Sequence, residues 1–288
     1  IAIPVAQVVR LCLRRTFSKA KWNVTVGRRW FWGGLTLEAL RRRGDGMRSM
    51  PTTLADDPAA IIFTSGSTGP PKGVLYTHRM FDTQVSEIQS TYGIEPGGVD
   101  LSCFPLFALF NSAMGVTTVL PSMDFSRPAS ADSRKLFTTS NDWKVTQAFA
   151  SPALWRSFTD SLLSLKDEER VGSLKQVFSC GAPVPADLLR NLLICAGSYA
   201  KIHTPYGATE CLPVATIEAA EVLAETADRT ADGAGICVGR RFDTIEWRVI
   251  RITDNQIASI ELSEPLPLGE IGELIVRGPQ ASPRYVTR

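Results

Sequence analysis

An apolar segment that leads directly into a loop of glycines and hydroxyls constrains this chain more than any other feature. Residues 59–63 are apolar and predict a buried strand, and residues 64–73 read Thr-Ser-Gly-Ser-Thr-Gly-Pro-Pro-Lys-Gly. Glycines let backbone amides approach an anion closely, and successive N–H groups in a turn form an anion-binding concavity. Hydroxyls and a lysine add donors and positive charge. The pattern predicts a loop that holds a polyphosphate, with contacts from Thr64, Ser65, Gly66, Ser67, Thr68, Gly69 and Lys72.

The spacing around the lysine separates this loop from the common P-loop of nucleotide-binding proteins. A P-loop needs a glycine, four further residues and then Gly-Lys-Ser/Thr. Here Lys72 follows Pro71 and precedes Gly73, so that pattern is not met. A plain Gly/Ser/Thr linker is the alternative. The preceding strand and the Pro-Pro-Lys-Gly ending favour a phosphate loop of another kind.

Length and composition indicate a globular protein. A chain of 288 residues can bury a full core as one large domain or two ordinary ones. No apolar run approaches the ~20 residues of a membrane-spanning helix. The two histidines exclude a multi-histidine metal site, and the six cysteines form no CxxC pair. Buried free thiols in a reducing cytosol are therefore expected.

Charge is distributed unevenly along the chain. The net charge is +2, but the first fifty residues hold eleven Lys and Arg against Glu38 and Asp45, which leaves the remainder with a net charge of −7. The basic clusters could meet an acidic partner, a membrane surface or a nucleic acid, act as part of a transit peptide, or form an ordinary solvated face. No aromatic-plus-basic RNA signature is present. Against a transit peptide, we expect the aromatic residues of this region to be packing residues of a folded domain: Trp22, Trp30, Phe31 and Trp32.

The first two thirds of the chain alternate strands and helices, which predicts a mostly parallel α/β sheet. Helices are predicted over 3–17, 78–92, 152–165 and 185–196, and strands over 59–63, 145–150, 174–179 and 200–203. From residue 236 the pattern changes to strands over 246–252 and 273–276. We therefore expect an α/β core over 1–235 and a small β-rich subdomain over 236–288.

Ligands of doubly wound sheets lie beyond the carboxyl ends of the strands. Three turns after predicted strands are rich in binding residues: the phosphate loop, residues 179–185 (Ser-Cys-Gly-Ala-Pro-Val-Pro) and residues 204–210 (Thr-Pro-Tyr-Gly-Ala-Thr-Glu). In this order they resemble the motifs of the acyl-adenylate-forming superfamily, which includes acyl-CoA synthetases, luciferases and peptide-synthetase adenylation domains. The resemblance covers roughly residues 55–280. It implies a ligase that uses ATP and Mg²⁺ to join a substrate carboxylate to AMP.

The resemblance implies a role for each matching residue of the nucleotide site. Gly181, Ala182 and Pro183 would border the adenine and ribose. Tyr206 would stack on the adenine, a role that suits a flat amphipathic ring, and Gly207 would follow it in the same nucleotide-binding turn. A Gly-Ala-Pro sequence alone is an ordinary turn, so these roles depend on the accompanying phosphate loop.

The resemblance also implies the residues that handle phosphate and metal. Lys72 and the loop hydroxyls would hold the β- and γ-phosphates, and Thr209 would hydrogen-bond the α-phosphate. Glu210 would ligate Mg²⁺, a hard cation that prefers carboxylate and phosphate oxygens. The catalytic set is then Lys72, Thr209 and Glu210. Taken alone, Glu210 could instead be a carboxylate at a helix N-terminus.

A finer resemblance is to the olefin-biosynthesis β-lactone synthetases. The stretches that resemble this subgroup are 29–34, 98–101, 104–110 and 204–214. The resemblance implies that a 2-alkyl-3-hydroxy fatty acid is activated with ATP and that its own hydroxyl then displaces AMP to close a β-lactone. Many acyl-CoA synthetases place a histidine after the Pro-Leu-Phe of residues 105–107, where this chain has Ala108. The apolar run 104–110 would line an acyl pocket or belong to the core.

Other consequences of the resemblance concern the whole protein. We expect this chain to be part of a longer one, with an N-terminal portion and a mobile C-terminal domain carrying a catalytic lysine elsewhere, and to be poorly active alone. The expected location is the cytoplasm, with assembly with other olefin-pathway enzymes or peripheral membrane contact through the basic N-terminal region, and without nucleic acid. Two alternatives stay open: a fatty acyl-CoA or acyl-AMP ligase, and a non-catalytic nucleotide-binding scaffold.

Overall fold

The structure, a computed structural model, describes residues 1–46, 49, 51–64, 70–104, 108–164, 171–197 and 199–287. Contacts between Cα atoms divide the chain into two compact units, Ile1–Thr53 and Leu54–Arg288. The predicted boundary between residues 235 and 236 stays a prediction.

The first unit contains two helices and a short parallel strand pair. Its elements are α1 (Pro4–Cys12), β1 (Val24–Thr25), β2 (Leu35–Thr36) and α2 (Leu37–Gly44). Helix α1 begins with a proline, whose fixed φ suits the first helical turn, and it is shorter than the predicted 3–17. Of the aromatic residues expected to pack, Trp32 is buried, whereas Trp22 and Phe31 are largely exposed. The indole of Trp32 donates a 2.9 Å hydrogen bond to Thr25 Oγ1. The hydroxyl of Thr36 accepts from the backbone N–H of Ala39 and so begins α2.

The second unit opens with an antiparallel hairpin, β3 (Pro58–Phe63) and β4 (Gly73–Thr77). The prediction that residues 59–63 form a strand is confirmed, but the prediction that this strand is buried is wrong. Ile61 is 52% exposed and Phe63 is 59% exposed, whereas every residue of β4 is buried. Within the described residues β3 pairs with β4 alone, so it is an outer strand with a free edge.

The core of this unit is a five-stranded sheet in which all strands are parallel, as predicted. Its strands are β5 (Val99–Ser102), β6 (Thr117–Val119), β7 (Gln147–Ala150), β8 (Gln176–Ser179) and β9 (Lys201–His203), in the order β6-β5-β7-β8-β9. Successive side chains of a strand point to opposite faces. Accordingly, Val177 packs in a core cluster with α-helical residues such as Leu154 and Leu188, whereas Phe178 packs in a second cluster with Tyr92 and others. The sheet is therefore covered on both faces.

Helices connect the parallel strands. They are α3 (His78–Tyr92), α4 (Ala108–Met114), α5 (Ser133–Asp142), α6 (Pro152–Leu163) and α7 (Ala186–Ala196), followed by a helical stretch of short segments, Ala219–Glu221, Val222–Thr226, Ala227–Arg229 and Thr230–Ala234, and with a 3₁₀ turn at Pro128–Ser130. Helix α3 has the predicted bounds: the Thr77 hydroxyl accepts from the Met80 N–H at its start, and Gly93 adopts a φ of 62° at its end. Within the described part of the chain, no helix combines the length and apolar character that a membrane crossing requires.

The remaining strands are antiparallel. Strands β10 (Tyr206–Ala208), β11 (Cys211–Thr216) and β12 (Arg240–Arg241) form one sheet, and β13 (Glu246–Ile250) and β14 (Glu273–Arg277) form another. The last two strands lie where the sequence predicted them. Residues of β11 join Tyr92 and Phe178 in the second core cluster, so the turn before β11 is attached to the parallel sheet by packing.

Candidate functional site

The phosphate loop connects the two strands of the β3–β4 hairpin. Its two ends are joined by hydrogen bonds: the Thr64 N–H donates to the Lys72 carbonyl (3.0 Å), and the Lys72 N–H donates to Thr64 Oγ1 (3.4 Å). The pairing closes the base of the loop and fixes where Lys72 leaves it. The predicted phosphate ligands Ser65, Gly66, Ser67, Thr68 and Gly69 lie outside the described residues.

Residues 281–287 are far from β4 in sequence, but they pair with the side of β4 that is opposite β3. The Val286 N–H donates to the Gly73 carbonyl (2.8 Å), and the Leu75 N–H donates to the Arg284 carbonyl (3.2 Å). Between these bonds Val74 and Tyr285 form an antiparallel bridge. The 281–287 segment therefore lies beside β4 like a third strand, and it brings Tyr285 to the base of the phosphate loop.

Tyr285 contacts two of the three predicted catalytic residues. Its phenol oxygen donates a 2.6 Å hydrogen bond to Glu210 Oε1. The ammonium nitrogen of Lys72 lies 5.1 Å from the centroid of its ring, within cation–π range. The backbone of the 281–287 segment is attached on the same side, since the Ser282 N–H donates to the Glu210 carbonyl (2.7 Å). The structure thus brings Lys72 and Glu210 into one site, although they are distant in sequence.

The third predicted catalytic residue, Thr209, is tied to β4. The phenol oxygen of Tyr76 donates a 2.7 Å hydrogen bond to the Thr209 carbonyl. Burial raises the pKa of Tyr76 to about 12, so its hydroxyl stays a donor at neutral pH. The buried amide of Gln84 donates to the Leu212 carbonyl (2.9 Å) just beyond the turn. The turn with Thr209 and Glu210 is therefore held by side chains from β4, α3 and the 281–287 segment.

The predicted adenine-stacking residue is accessible. Tyr206 begins β10 and is 42% exposed, so part of its side chain is accessible to a ligand. Its neighbour Gly207 is close to β11: a Cβ there would lie 2.9 Å from Leu212 Cβ and 3.0 Å from the Cys211 carbonyl oxygen. A side chain at position 207 would push the two strands apart, which explains the glycine.

The predicted ribose and adenine border follows β8. Gly181 has a φ of +91°, a conformation that favours glycine, and a Cβ there would meet no atom within 4 Å. Ala182 and Pro183 are exposed beside it. Because β8 and β9 are parallel neighbours, the turns that follow them share one edge of the sheet. The joint role of the Gly181 turn and Tyr206 stays a prediction.

The residues present fit a nucleotide with Mg²⁺. Glu210 supplies a hard carboxylate oxygen and Lys72 supplies a cation beside a phosphate loop. Tyr206 supplies an exposed ring, and the space over Gly181 is open. Among the described residues, no three His, Cys, Asp or Glu side chains lie close enough to hold a metal. The donor chemistry therefore suits a metal held jointly by one carboxylate and phosphate oxygens.

The region of the predicted acyl pocket is described in part. Residues 105–107 lie outside the described residues, Phe104 and Leu109 are 46% and 58% exposed, and Phe110 is buried in the second core cluster. A buried network fixes α4 to the sheet, in which Asn111 Nδ2 donates to Asp100 Oδ2 (2.8 Å). Burial raises the pKa of the Asp100 carboxyl. Whether this run lines an acyl pocket stays a prediction.

Sequence reasoning missed Tyr285 and Tyr76. Neither belongs to the three strand-end motifs, and their partners are more than 70 residues distant in sequence. For Tyr76, the apolar run that ends at Thr77 could have predicted a second strand of a hairpin around the loop. For Tyr285, no local pattern marks the residue, because its role follows from the pairing of the 281–287 segment with β4.

Comparison with known proteins gives a family match over almost the whole chain. The profile of the AMP-binding enzyme family ("AMP-binding enzyme") matches residues 14–286. The olefin β-lactone synthetase of Stenotrophomonas maltophilia (strain K279a) is 46% identical over 289 residues, a match that covers 100% of this chain and 51% of that protein. The predicted resemblance to that subgroup is confirmed. The chain spans about half the length of the curated relatives it matches.

Solved structures confirm the fold. A long-chain-fatty-acid-CoA ligase from Archaeoglobus fulgidus superposes with a TM-score of 0.69 at 22% identity, covering 92% of this chain and 50% of that one. The O-succinylbenzoate coenzyme A synthetase of Bacillus subtilis, solved in complex with ATP and magnesium ion, gives 0.62 at 23% identity, covering 82% of this chain and 44% of that one. At these identities the likeness shows a shared architecture.

Proposed function

Because this chain belongs to the AMP-binding enzyme family, we propose that the protein of which it is part activates a carboxylic acid as an acyl-adenylate. One observation carries the proposal: Lys72 and Glu210, residues of two separate predicted motifs, meet on the same side chain, Tyr285, at the base of the phosphate loop. A cation and a carboxylate placed together beside such a loop suit a polyphosphate with its metal. A non-catalytic nucleotide-binding scaffold would hold the same ligand, so product analysis is needed to separate it from an enzyme.

Each residue has a part in the proposed reaction. Glu210 would hold Mg²⁺, which shields the phosphate charges, and Lys72 would neutralise the β- and γ-phosphates. Thr209 would orient the α-phosphate through its hydroxyl, and Tyr206 would stack on the adenine. A carboxylate oxygen of the substrate attacks the α-phosphorus, the bond to the β-phosphate oxygen breaks, and pyrophosphate leaves. The protein contributes mainly positioning and charge neutralisation.

We propose a 2-alkyl-3-hydroxy fatty acid as the substrate. The support is the 46% identical olefin β-lactone synthetase, together with Ala108 in place of the histidine found in many acyl-CoA synthetases. In the second step the substrate's hydroxyl oxygen attacks its own acyl carbon, the bond from that carbon to the AMP oxygen breaks, and the hydroxyl proton is lost. The products are a β-lactone and AMP, without coenzyme A.

The basic first unit is proposed to contact an anionic membrane surface from the cytoplasmic side. Arginines 41–43 lie in the last turn of α2. The same unit exposes large aromatic side chains: Trp22 is 90% exposed and Phe31 is 77% exposed. Exposed aromatic and basic residues together suit the interface of a membrane that holds long-chain substrates. Assembly with other olefin-pathway enzymes through this unit is the alternative partner.

Product analysis tests the proposed reaction on the longest natural form of the protein. ATP, Mg²⁺, a 2-alkyl-3-hydroxy acid and coenzyme A are supplied together, and products are identified by mass spectrometry and NMR. We expect a β-lactone, AMP and pyrophosphate, and no thioester. A coenzyme A thioester with AMP would assign the protein to the acyl-CoA ligases. Absence of any ATP-dependent product would leave the scaffold reading.

A further inference from the structure

We propose that Tyr285 is a positioning residue that keeps Glu210 and Lys72 apart and correctly placed for a metal-bound nucleotide. The inference rests on the proposed function, and it concerns a residue outside all three motifs that identified the site. Tyr285 holds the carboxylate of Glu210 with its hydroxyl at 2.6 Å and lies under the ammonium of Lys72 with its ring at 5.1 Å.

Tyr285 is a neutral group in contact with two opposite charges. A carboxylate and an ammonium that lie near one another tend to form a direct ion pair, which would neutralise the charges that a metal and a phosphate must meet. The ion pairs among the described residues do not include one between Lys72 and Glu210. Both groups contact Tyr285 instead. The tyrosine therefore contacts each charge through a neutral group, which leaves both charges available to a metal and a phosphate.

Tyr285 also restricts two flexible side chains. Lysine and glutamate side chains have several rotatable bonds, and fixing them costs conformational entropy when the ligand binds. Tyr285 itself is held by its backbone: it bridges Val74, and the hydrogen bonds of Arg284 and Val286 to β4 lie on either side. Its ring packs in a cluster with Val74 and Met80. A phenol fixed in this way orders the Lys72 and Glu210 side chains before the nucleotide binds, so less conformational entropy is lost on binding.

Tyr285 contacts Glu210 through its hydroxyl and Lys72 through its ring, so substitutions can remove the first contact without the second. Replacing Tyr285 by phenylalanine removes the hydrogen bond to Glu210 but retains the ring beneath Lys72. Replacing it by leucine removes both. A hydrogen bond to a charged group changes an affinity by about tenfold or more. The phenylalanine variant should therefore affect the metal side of the site, and the leucine variant should affect the phosphate side as well.

The experiment measures binding of a non-hydrolysable ATP analogue to the longest natural form of the protein, once with Mg²⁺ and once with EDTA. For Tyr285→Phe we expect the Kd to rise about tenfold with Mg²⁺ and to be unchanged in EDTA. For Tyr285→Leu we expect a rise in both conditions. Tyr199→Phe, at a position that is 95% exposed, is the matched control and should bind as the wild type does. Circular dichroism and thermal unfolding check the fold of every variant.

A double-mutant cycle adds a test that a purely structural role would not pass. In the Glu210→Ala background, Tyr285→Phe should no longer change the Mg²⁺-dependent Kd, since the hydrogen-bond acceptor is gone. Equal Mg²⁺-dependent affinities of the wild type and Tyr285→Phe would overturn the inference, as would equal weakening in Mg²⁺ and EDTA.

The same measurements distinguish this inference from the proposed function. If the wild type does not bind the analogue in either condition, the proposed function fails and the inference fails with it. If binding follows the expected pattern but no acyl-adenylate or β-lactone forms, the proposed function is wrong and the role of Tyr285 in metal-bound nucleotide binding stands.

Discussion

The phenol oxygen of Tyr76 donates a 2.7 Å hydrogen bond to the backbone carbonyl of Thr209, joining a buried strand to the turn that holds two predicted catalytic residues. Strand β4 thereby positions the site from two sides, since Lys72 directly precedes it and Tyr76 lies within it. The bond has a direct experimental consequence.

Tyr76→Phe should reduce the free energy of nucleotide binding more than it reduces the free energy of unfolding. The loss of one buried hydrogen bond costs about 1 kcal/mol of stability, and the released Thr209 carbonyl lets the turn shift. Urea unfolding and nucleotide titration measure the two effects. Tyr92→Phe is a matched control, because it removes a similarly buried bond, from the phenol to Thr216 Oγ1 (3.0 Å), outside the site. Equal affinities of the two variants would contradict a positioning role for Tyr76.

Glu210→Gln should lower the rate of ATP-dependent activation about a hundredfold or more, because the amide keeps the shape of the carboxylate but not the charge that holds Mg²⁺. Pyrophosphate release with a saturating acid substrate measures the rate. Glu221→Gln serves as the comparison, since Glu221 forms an exposed ion pair with Arg240 and such pairs contribute little. Full activity in Glu210→Gln would show that another group holds the metal.

Stability should fall as the pH falls from about 6.5 to about 4, in part through His203. Burial lowers the pKa of this histidine from 6.5 to about 4, and its Nε2 lies 2.8 Å from Gln176 Oε1. The unfolded chain therefore takes up the proton first, and the stabilisation present above pH 6.5 is lost through this window. At pH 5 the loss is about 2 kcal/mol.

Urea unfolding of the wild type and His203→Gln between pH 4 and 8 isolates this contribution. The difference between the two curves is the relevant quantity, because Asp100, with its raised pKa, contributes a slope of the opposite sign. A constant difference across the range would mean that His203 does not titrate as expected.

Charge reversal of Arg41, Arg42 and Arg43 to glutamate should weaken binding to anionic vesicles while leaving adenylate formation unchanged. Each basic residue near such a surface contributes about 1 kcal/mol, and the effect should shrink at high salt. Sedimentation with phosphatidylserine vesicles measures it. The control is charge reversal of three exposed basic residues of the second unit: Arg127, Lys175 and Arg190. Undiminished vesicle binding would make the arginine cluster an ordinary solvated face.

Local sequence signals predicted strands β7, β8 and β9 of the parallel sheet, whereas β5 and β6 were not predicted. Helix α3 occupies the predicted residues because Thr77 and Gly93 act as its end signals. Strand β8 and helix α7 lie within two residues of their predicted bounds for similar reasons. The three motifs could be recognised because each is a short continuous stretch of sequence.

The relations between elements were less predictable. The apolar residues of β3 predicted burial, but whether a strand is central or outer depends on its partners, and here β4 occupies the central place. The contacts of Tyr285 arise from a pairing between distant segments, which no periodicity within either segment encodes. Helix α5 was missed because its apolar residues are few and its start signal, Asp132, is an ordinary surface residue.

The pairing of the 281–287 segment with β4 also sets an order of events during synthesis. Gly73 and Thr287, joined by a 3.0 Å hydrogen bond, are 214 residues apart in the chain. A ribosome completes the phosphate loop long before it makes Tyr285, and contacts between remote segments form slowly. In the nascent chain Lys72 and Glu210 therefore lack their contacts with Tyr285 until that residue has been synthesised. The contacts of Tyr285 with Lys72 and Glu210 can therefore form only after translation has passed residue 285.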